Sequence, residues 1–260
     1  MYLNVALAQI DIQFGDPGAN LETVRQVVTE AAHRGGNLVV LPELWSTGYD
    51  LERAEVLADP PDEGLYAAMA TLARTAQIAI AGSTLARRPN GPPSNHATLY
   101  DAHGVCLAAY DKIHLFGLMH EDRYLSPGES LEVFDTPWGK TAFAICYDLR
   151  FPELFRSYAV RDAGIFLVPA EWPHPRLEHW RTLVRARAIE NQSFIIAVNR
   201  VGGDRNNTFC GHSLIVDPWG QILAETGEEE EVLLATLDLN QINEVRRRMS
   251  VLRDRRPELY

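Results

Sequence analysis

Cysteine and lysine are both scarce in this sequence. Three of its 260 residues are cysteines, and this small, odd number provides no disulfide framework and favours a reducing compartment. Lysine and arginine together number 24: two lysines, Lys112 and Lys140, and 22 arginines. A compact ammonium performs tasks that a planar guanidinium cannot, so each remaining lysine is a candidate for a chemical role. With only two lysines left, chance is the competing explanation.

The sequence also lacks long apolar runs and an excess of positive charge. No run approaches the roughly 18 apolar residues that cross a membrane, and the start of the chain lacks the basic and then apolar pattern of a signal peptide. A formal net charge of −11 disfavours nucleic acid as a partner, since binding it requires neutralisation of phosphates. Hydrophobic residues make up 46%, enough for a large core. We therefore expect a cytoplasmic protein without a membrane or nucleic-acid partner.

Strand and helix patterns alternate along the chain. Residues 37–41 have the pattern of a buried strand, and residues 176–191 have the spacing of a long helix. Turn residues at 101–104 and 217–220 each lie between two strand patterns, which is typical of a β-hairpin. Because hairpins occur among alternating strands and helices, the sequence predicts an α/β fold with two mixed sheets and helices on their outer faces. No repeat or linker divides the chain, so we expect one domain, residues 1–260.

The most informative stretch is TAFAICYDLRFPE, residues 141–153. Its small apolar start fits a strand buried on both faces, and the acid that follows Pro152 supports the start of a helix there. At a junction of strand and helix, backbone N–H groups and the helix dipole favour a thiolate, so Cys146 is a candidate nucleophile. The alternative is a buried small hydrophobic residue. Cys106 lies in an alternating strand pattern and Cys210 just before another strand, and we interpret both as packing residues.

Three further polar residues are candidates for the same site. Glu43 follows the apolar run VVLP, and Lys112 follows a strand pattern that ends near Tyr110. Glu121 lies in the loop segment MHEDRYLSPG. Taken alone, Glu43 is equally well explained as a helix cap or a paired carboxylate, and Glu121 as a solvated surface acid.

Together with Cys146, these residues suit acyl-transfer chemistry. Attack by a cysteine on an amide or nitrile carbon needs a base that takes the thiol proton and returns it to the leaving nitrogen, and a buried Glu43 fits that role. The Lys112 ammonium and the backbone N–H of Tyr147 would stabilise the negative charge on the former carbonyl oxygen. Glu121 would hold the ammonium and orient the substrate or the hydrolytic water.

The motifs that contain these residues resemble those of the nitrilase (carbon–nitrogen hydrolase) superfamily. LPELWSTGY is similar to its glutamate motif, DKIHLF to its lysine motif and CYDLRFPE to its cysteine motif, in the same order along the chain. The resemblance extends to LSPGE, AEWP, RARAIENQ and GHSLIVDPWG. It implies a four-layer α-β-β-α sandwich and a triad of Glu43, Lys112 and Cys146 supported by Glu121. It also implies no metal or organic cofactor, and a homodimer or higher even oligomer.

Within the superfamily, the sequence looks most like the omega-amidase and Nit-like branch. The combination of ELWSTGYDL, HLFGLMHEDRYLSPG and AEWPHPRLEHW resembles bacterial 2-oxoglutaramate amidases. This resemblance implies a cysteine-dependent amidase that hydrolyses the terminal amide of a small 2-oxo dicarboxylic acid monoamide through a thioester. The alternatives are another carbon–nitrogen substrate (deaminated glutathione, a carbamoyl compound or a nitrile) and a non-catalytic interaction module.

Five residues are candidates for substrate binding. A 2-oxo acid amide carries a carboxylate remote from the cleaved bond, and an arginine can bind it with two hydrogen bonds. Arg150 and Arg176 are candidates for that contact, although we favour Arg150 as a buried ion-pair partner of an acid near the site. Tyr49, Phe116 and Trp172 either line the pocket or belong to the core.

The C-terminal segment and the histidines carry two further expectations. Six arginines between residues 244 and 256 offer a basic patch, which we interpret as a terminal helix and tail, about residues 239–260, at a dimer interface. The histidines of HEDRY and HPRLEH lack the spacing of a zinc hydrolase, so no metal site is predicted. His114 is interpreted as a supporting residue, not as part of a Cys–His pair.

Overall fold

Two six-stranded sheets form the framework of the protein in a computed structural model that describes residues 1–259. The strands of the first sheet, in spatial order, are β12 (Glu231–Asp238), β1 (Tyr2–Gln9), β2 (Leu38–Val40), β3 (Ala79–Ala86), β4 (Ser94–Tyr100) and β5 (Cys106–Asp111). The strands of the second sheet are β11 (Ile222–Glu225), β10 (Leu214–Val216), β9 (Phe194–Asn199), β8 (Ile165–Ala170), β7 (Gly139–Phe143) and β6 (Phe134–Thr136).

Both sheets are mixed, as the sequence predicts. Strands β1, β2 and β3 run parallel to one another in the first sheet, and β7, β8 and β9 do so in the second. The pairs β4–β5 and β10–β11 are antiparallel, and each is joined by a predicted hairpin turn. The alternation of parallel strands with hairpins therefore confirms the two mixed sheets.

Helices cover the outer face of each sheet. The α-helices of the described chain are α1 (Pro17–His33), α2 (Ala54–Leu57), α3 (Gly64–Ala76), α4 (Glu121–Tyr124), α5 (Pro152–Ala159), α6 (Leu177–Asn191) and α7 (Asn240–Arg248). Helices α1 and α3 pack against the first sheet, and α5 and α6 pack beside each other at the second. This arrangement gives the four layers α-β-β-α and confirms the predicted sandwich.

The side chains of β1 show how one strand serves two cores. Leu3, Val5 and Leu7 point between the sheets and join the central apolar cluster. Ala6 and Ala8 point the other way and pack among residues of α1 and α3. Because successive side chains of a strand point to opposite faces, a strand that is covered on both faces must be apolar at nearly every position.

The ends of several strands meet at one edge of the sandwich. Glu43 comes shortly after β2, Lys112 directly after β5, Cys146 shortly after β7 and Glu171 directly after β8. Strands β2 and β5 run in the same direction, as do β7 and β8, so these residues emerge at the carboxyl ends of their strands. Open α/β sheets place their sites at such ends, and the geometry of the loops decides which residues meet.

Helix α7 packs on its own chain. The guanidinium of Arg246 donates to the carbonyls of Ala163 and Gln192 and to the hydroxyl of Ser193. Burial lowers the pKa of Arg246 from its ordinary value. The role of residues 239–260 at a dimer interface stays a prediction. Within residues 1–259, no helix combines the length and the apolar character that crossing a membrane requires.

Candidate active site

Three of the predicted residues form a buried charged cluster. The Lys112 Nζ lies 2.7 Å from Oε1 of Glu43 and 2.7 Å from Oε1 of Glu121, and all three side chains have no solvent exposure. Oε2 of Glu121 accepts a 2.5 Å hydrogen bond from the backbone N–H of Phe116. Two carboxylates and one ammonium leave one net negative charge if all three are ionised. The structure therefore brings together residues that are distant in the sequence.

Burial and mutual attraction act in opposite directions on these groups. Burial alone would lower the pKa of the Lys112 ammonium, but the carboxylates of Glu121 and Glu43 outweigh it and hold that pKa above its ordinary value. Burial raises the pKa of Glu121, and the neighbouring Glu43 adds to this effect while Lys112 opposes it. Lys112 is therefore a permanently charged donor between the two acids.

The carboxylate of Glu43 is held by several donors. Its Oε1 accepts hydrogen bonds from Lys112 Nζ, from Asn95 Nδ2 at 2.8 Å and from the Tyr49 hydroxyl at 3.2 Å. The same hydroxyl lies 3.1 Å from Oε1 of Glu121. Tyr49 was predicted as a pocket residue, and the structure places its hydroxyl between the two carboxylates. Burial, followed by these acids, raises the pKa of Tyr49 well above its ordinary value.

Cys146 lies beside this cluster, at the start of a 3₁₀ turn, Cys146–Arg150. Cys146 is 4% exposed, and the carboxylate of Glu43 is close enough to raise the pKa of its thiol. Its φ of 43° lies in the left-handed region, which is uncommon for a residue with a side chain and is often found at functional sites. The backbone thus turns sharply between β7 and α5 and presents the sulfur to the acids.

The expectation that a helix dipole favours the Cys146 thiolate is wrong. Helix α5 begins at Pro152, six residues further along, and the 3₁₀ turn separates it from the cysteine. Burial raises the pKa of the thiol well above its ordinary value, and the carboxylate of Glu43 raises it further. Cys146 is therefore a neutral thiol at rest, and a base must take its proton before it can act as a nucleophile.

Asp148 fixes the turn that contains the cysteine, and the sequence analysis missed it. Its Oδ2 accepts hydrogen bonds from the backbone N–H of Ile145 at 2.9 Å and from the Tyr110 hydroxyl at 2.7 Å. Its Oδ1 accepts the backbone N–H of His114 at 3.0 Å and lies 2.8 Å from the His114 ring nitrogen Nδ1. One buried carboxylate thereby connects the Cys146 turn to the segment that contains Lys112. His114 has the supporting role that the sequence suggests.

A pocket opens above the sulfur of Cys146. Its walls are formed by five of the predicted residues, Phe116, Tyr147, Arg150, Trp172 and Arg176, together with Pro173. Trp172 is held by a hydrogen bond from its Nε1 to the carbonyl of Arg176 at 2.9 Å. Phe116 contacts Tyr147 with ring centroids 4.8 Å apart. Apolar rings and two guanidinium groups therefore surround the thiol.

The preferred interpretation of Arg150 as a buried ion-pair partner is wrong. Among residues 1–259, Arg150 forms no ion pair with an acid. Its guanidinium lies 4.7 Å from the centre of the Trp172 ring, and Nη2 lies 3.3 Å from Nδ1 of His179. Burial and the nearby charge of Arg176 lower the pKa of Arg150 from its ordinary value. Asp148, the acid closest to Arg150 in the sequence, instead binds Ile145, Tyr110 and His114.

Two more residues near Glu43 were missed. Glu171 follows the apolar run of β8, and Arg200 follows that of β9, and both are completely buried. Arg200 Nη1 donates to Oε2 of Glu171 at 3.0 Å. The signal that selected Glu43, a charged residue directly beyond a strand buried on both faces, is present at both positions and would have found them.

The comparisons with known proteins agree with this site. Residues 4–247 match the family Carbon-nitrogen hydrolase. The chain is 40% identical, over the full length of both sequences, to a 2-oxoglutaramate amidase of Bacillus subtilis (strain 168).

Two solved structures show the likeness in three dimensions. A CN-hydrolase superfamily protein of Xanthomonas campestris, with an arsenic adduct in its active site, is 32% identical, has a TM-score of 0.92 and matches 98% of each chain. A mutant amidase of Nesterenkonia sp. AN1, in which acrylamide has added to the active-site cysteine, is 30% identical, has a TM-score of 0.87 and covers 99% of this chain and 98% of its own. The prediction of an enzyme that hydrolyses carbon–nitrogen bonds is confirmed, because the chain belongs to the carbon–nitrogen hydrolase family.

Proposed function

We propose that this protein is a cysteine-dependent omega-amidase, which converts the terminal carboxamide of a small acid such as 2-oxoglutaramate into a carboxylate and ammonia. The observation that carries the proposal is the buried cluster of Glu43, Lys112 and Glu121 beside the Cys146 thiol, whose pKa the Glu43 carboxylate raises. The 2-oxoglutaramate amidase relative and the adduct on the active-site cysteine of the Nesterenkonia amidase support it.

The acylation step follows from these positions. Glu43 takes the proton of the Cys146 thiol, and the sulfur attacks the carbonyl carbon of the amide. Negative charge forms on the carbonyl oxygen, where the Lys112 ammonium and the Tyr147 backbone N–H stabilise it. Glu43 then returns its proton to the nitrogen, the carbon–nitrogen bond breaks, and ammonia leaves a thioester on Cys146.

Deacylation uses the same base a second time. A water molecule gives a proton to Glu43 as it attacks the thioester carbon, and the carbon–sulfur bond breaks. The proton on Glu43 returns to the Cys146 sulfur, and the carboxylic acid product leaves. Glu121 holds the Lys112 ammonium in place during both steps, and Tyr49 bridges the two carboxylates.

The two pocket arginines support an acidic substrate. Arg150 and Arg176 both line the pocket with Cys146, and within the described residues neither forms an ion pair with a carboxylate. Two neighbouring positive charges without an acid attract an anionic group of the substrate. A carboxylate at the far end of the substrate from the amide would satisfy both guanidinium groups. We assign Arg176 as the main contact, because its guanidinium lies 5.6 Å from the centre of the Phe116 ring, while that of Arg150 is held closer, at 4.7 Å from the Trp172 ring, and contacts His179.

Replacement of Arg176 by glutamine should change affinity for acidic amides alone. We expect Arg176→Gln to raise KM for 2-oxoglutaramate by about tenfold or more, since a hydrogen bond between charged groups contributes about 1.5–3 kcal/mol. For a neutral amide of similar length, kcat/KM should change less than about twofold. Ammonia release under steady-state conditions measures both values.

The matched control is Arg25→Gln, which removes one exposed arginine from the outer helix α1. This variant should behave as the wild type with both substrates. A panel of 2-oxoglutaramate, glutamine, asparagine, deaminated glutathione and a nitrile tests the substrate itself. Selective hydrolysis of deaminated glutathione or of the nitrile would replace the proposed substrate, and an equal loss for neutral and acidic amides in Arg176→Gln would contradict the role of this arginine.

The proposed active form is a homodimer or a larger even oligomer, with no metal, organic cofactor, nucleic acid or membrane as a partner. This proposal follows the family resemblance, and it places residues 239–260 at the interface. Light scattering at micromolar concentration should give at least twice the mass of one chain. A monomeric mass would contradict the dimer and the interface role of the C-terminal segment.

A further inference from the structure

The two oxygens of the Glu43 carboxylate have different surroundings. Oε1 accepts from Lys112, Asn95 and Tyr49, which use its capacity as an acceptor. Among the described backbone groups, Oε2 accepts from the N–H of Glu171 at 2.9 Å. The Glu43 carboxylate also raises the pKa of the nearby Cys146 thiol. Oε2 is therefore the oxygen that can accept the thiol proton. The Glu171 N–H is the group that fixes the orientation of this oxygen.

The peptide between Ala170 and Glu171 is held from both sides. Its carbonyl accepts from the backbone N–H of Glu43 at 3.5 Å and from that of Arg200 at 3.3 Å. Its N–H donates to Glu43 Oε2. A rotation of this peptide would break all three contacts at once. The orientation of the Glu43 carboxylate is thus connected to the position of Arg200.

The side chains of Glu171 and Arg200 also connect the Ala170–Glu171 peptide to Arg200. Arg200 donates from Nη1 to Oε2 of Glu171 at 3.0 Å, and from Nη2 to Oδ1 of Asp11 at 2.7 Å and to the carbonyl of Ile12 at 2.9 Å. Its Nε donates to the carbonyl of Val201 at 3.1 Å. The guanidinium is therefore fixed by groups that follow three different strands.

One carboxyl oxygen of Glu171 lacks the hydrogen-bond partner that buried polar atoms usually have. Its Oε1 is buried, and no residue in the described part of the chain donates a hydrogen bond to it. Buried polar atoms without a hydrogen-bond partner are uncommon in native structures. Burial, opposed by Arg200 and assisted by the neighbouring Glu43, raises the pKa of Glu171 to about 8. Glu171 is thus easier to protonate near neutral pH than an ordinary glutamate.

We propose that Glu171 and Arg200 form a positioning pair, which directs Oε2 of Glu43 at the thiol of Cys146. Neither residue touches the substrate in this scheme; both act through Glu43. The inference rests on the proposed function in one respect, the role of Cys146 as the nucleophile with Glu43 as its base. It adds two residues that the triad and Glu121 do not include.

The experiment compares Glu171→Gln and Arg200→Lys with the wild type. The first readout is the rate at which acrylamide alkylates Cys146 between pH 6 and pH 10, followed on the Cys146 peptide by mass spectrometry. We expect this rate at pH 7 to fall by about tenfold in both variants, because a misplaced base costs up to roughly 10²-fold in rate. In amide hydrolysis, kcat should fall similarly while KM changes less than about twofold.

The pH dependence of the alkylation rate distinguishes a positioning role of Glu171 from a role in stability alone. If the wild-type profile bends as Glu171 loses its proton, near pH 8, the bend should be absent in Glu171→Gln, which cannot ionise. The control Arg181→Lys changes a partly buried arginine that forms an ion pair with Glu225 outside the site. This control should leave the alkylation rate, kcat and the profile unchanged.

Each outcome decides the proposal. If Glu171→Gln and Arg200→Lys lower only the melting temperature and leave alkylation and kcat within twofold, the pair is structural and the proposal is overturned. If either fails to fold, Asp11→Asn decides, because Asp11 is 47% exposed at the outer end of the pair and should show a smaller loss in the same direction. If Asp11→Asn is alkylated at the wild-type rate, the proposal is also overturned. A wild type that hydrolyses no amide, but whose alkylation still depends on Glu171, would refute the proposed function alone.

Discussion

Cys146→Ala is expected to abolish amide hydrolysis, with a loss in kcat of at least about 10⁴-fold, and to leave the fold intact. The sulfur is the atom that forms the thioester, and no other group beside Glu43 can replace it as a nucleophile. The change removes one atom from a nearly buried position, so the melting temperature should shift by only a few degrees. Ammonia release measures activity, and mass spectrometry of the wild type with substrate should detect the acyl enzyme.

The other two cysteines provide the control. Cys106→Ala and Cys210→Ala should keep wild-type kcat, because within the described residues neither sulfur hydrogen-bonds to Glu43 or Lys112. Cys106 is exposed on β5, and Cys210 hydrogen-bonds to the carbonyl of Trp172. A residual activity of Cys146→Ala above about one per cent would remove Cys146 as the nucleophile, because truncation of a nucleophile costs far more than that.

Lys112→Arg is expected to be nearly as damaging, with a loss in kcat of about 10³-fold. The Nζ atom sits 2.7 Å from each of two carboxylate oxygens in a site without solvent, and a longer, planar guanidinium does not fit between them. The variant keeps the charge, so a loss would show that the compact shape of the ammonium is required. Displacement of the two acids should also lower the free energy of unfolding by roughly 2–4 kcal/mol, measured by urea denaturation.

The second lysine is a well-matched control. Lys140 lies in β7, is exposed, and undergoes the same chemical change in Lys140→Arg. That variant should keep wild-type kcat and stability. Near-wild-type activity of Lys112→Arg would contradict the role assigned to the ammonium in stabilising the oxyanion, and it would make chance the explanation for the survival of this lysine.

Much of this site was predictable because its residues follow strands that are apolar on both faces. Glu43, Lys112 and Cys146 were selected by that signal and by the chemistry that they share, and the structure places Lys112 in contact with Glu43 and Cys146 beside them. Applied to every strand, the same rule would also have selected Glu171 and Arg200. The two mixed sheets were predictable because turn residues between strand patterns indicate hairpins, while long helices between strands indicate parallel neighbours.

Other features depend on contacts that a sequence does not display. Asp148 reads as one acid in a polar segment, and its four hydrogen-bond donors come from two separate parts of the chain. The neutral state of Cys146 could not be predicted, because the balance between burial, Glu43 and Lys112 depends on distances. Arg150 was misjudged for the same reason: the acid closest to it in sequence is engaged elsewhere.

The origin of the site in two different sheets has a consequence for biosynthesis. Glu43 and Lys112 follow strands of the first sheet, and Cys146 follows a strand of the second. Until the sheets dock, Cys146 lacks Glu43, its proposed base, although Glu43 and Lys112 follow strands of the same sheet. The first sheet is itself completed by β12, the last strand in the sequence, which pairs with β1, the first. A partly folded chain therefore lacks the assembled site, and the proposed activity requires both sheets to be docked.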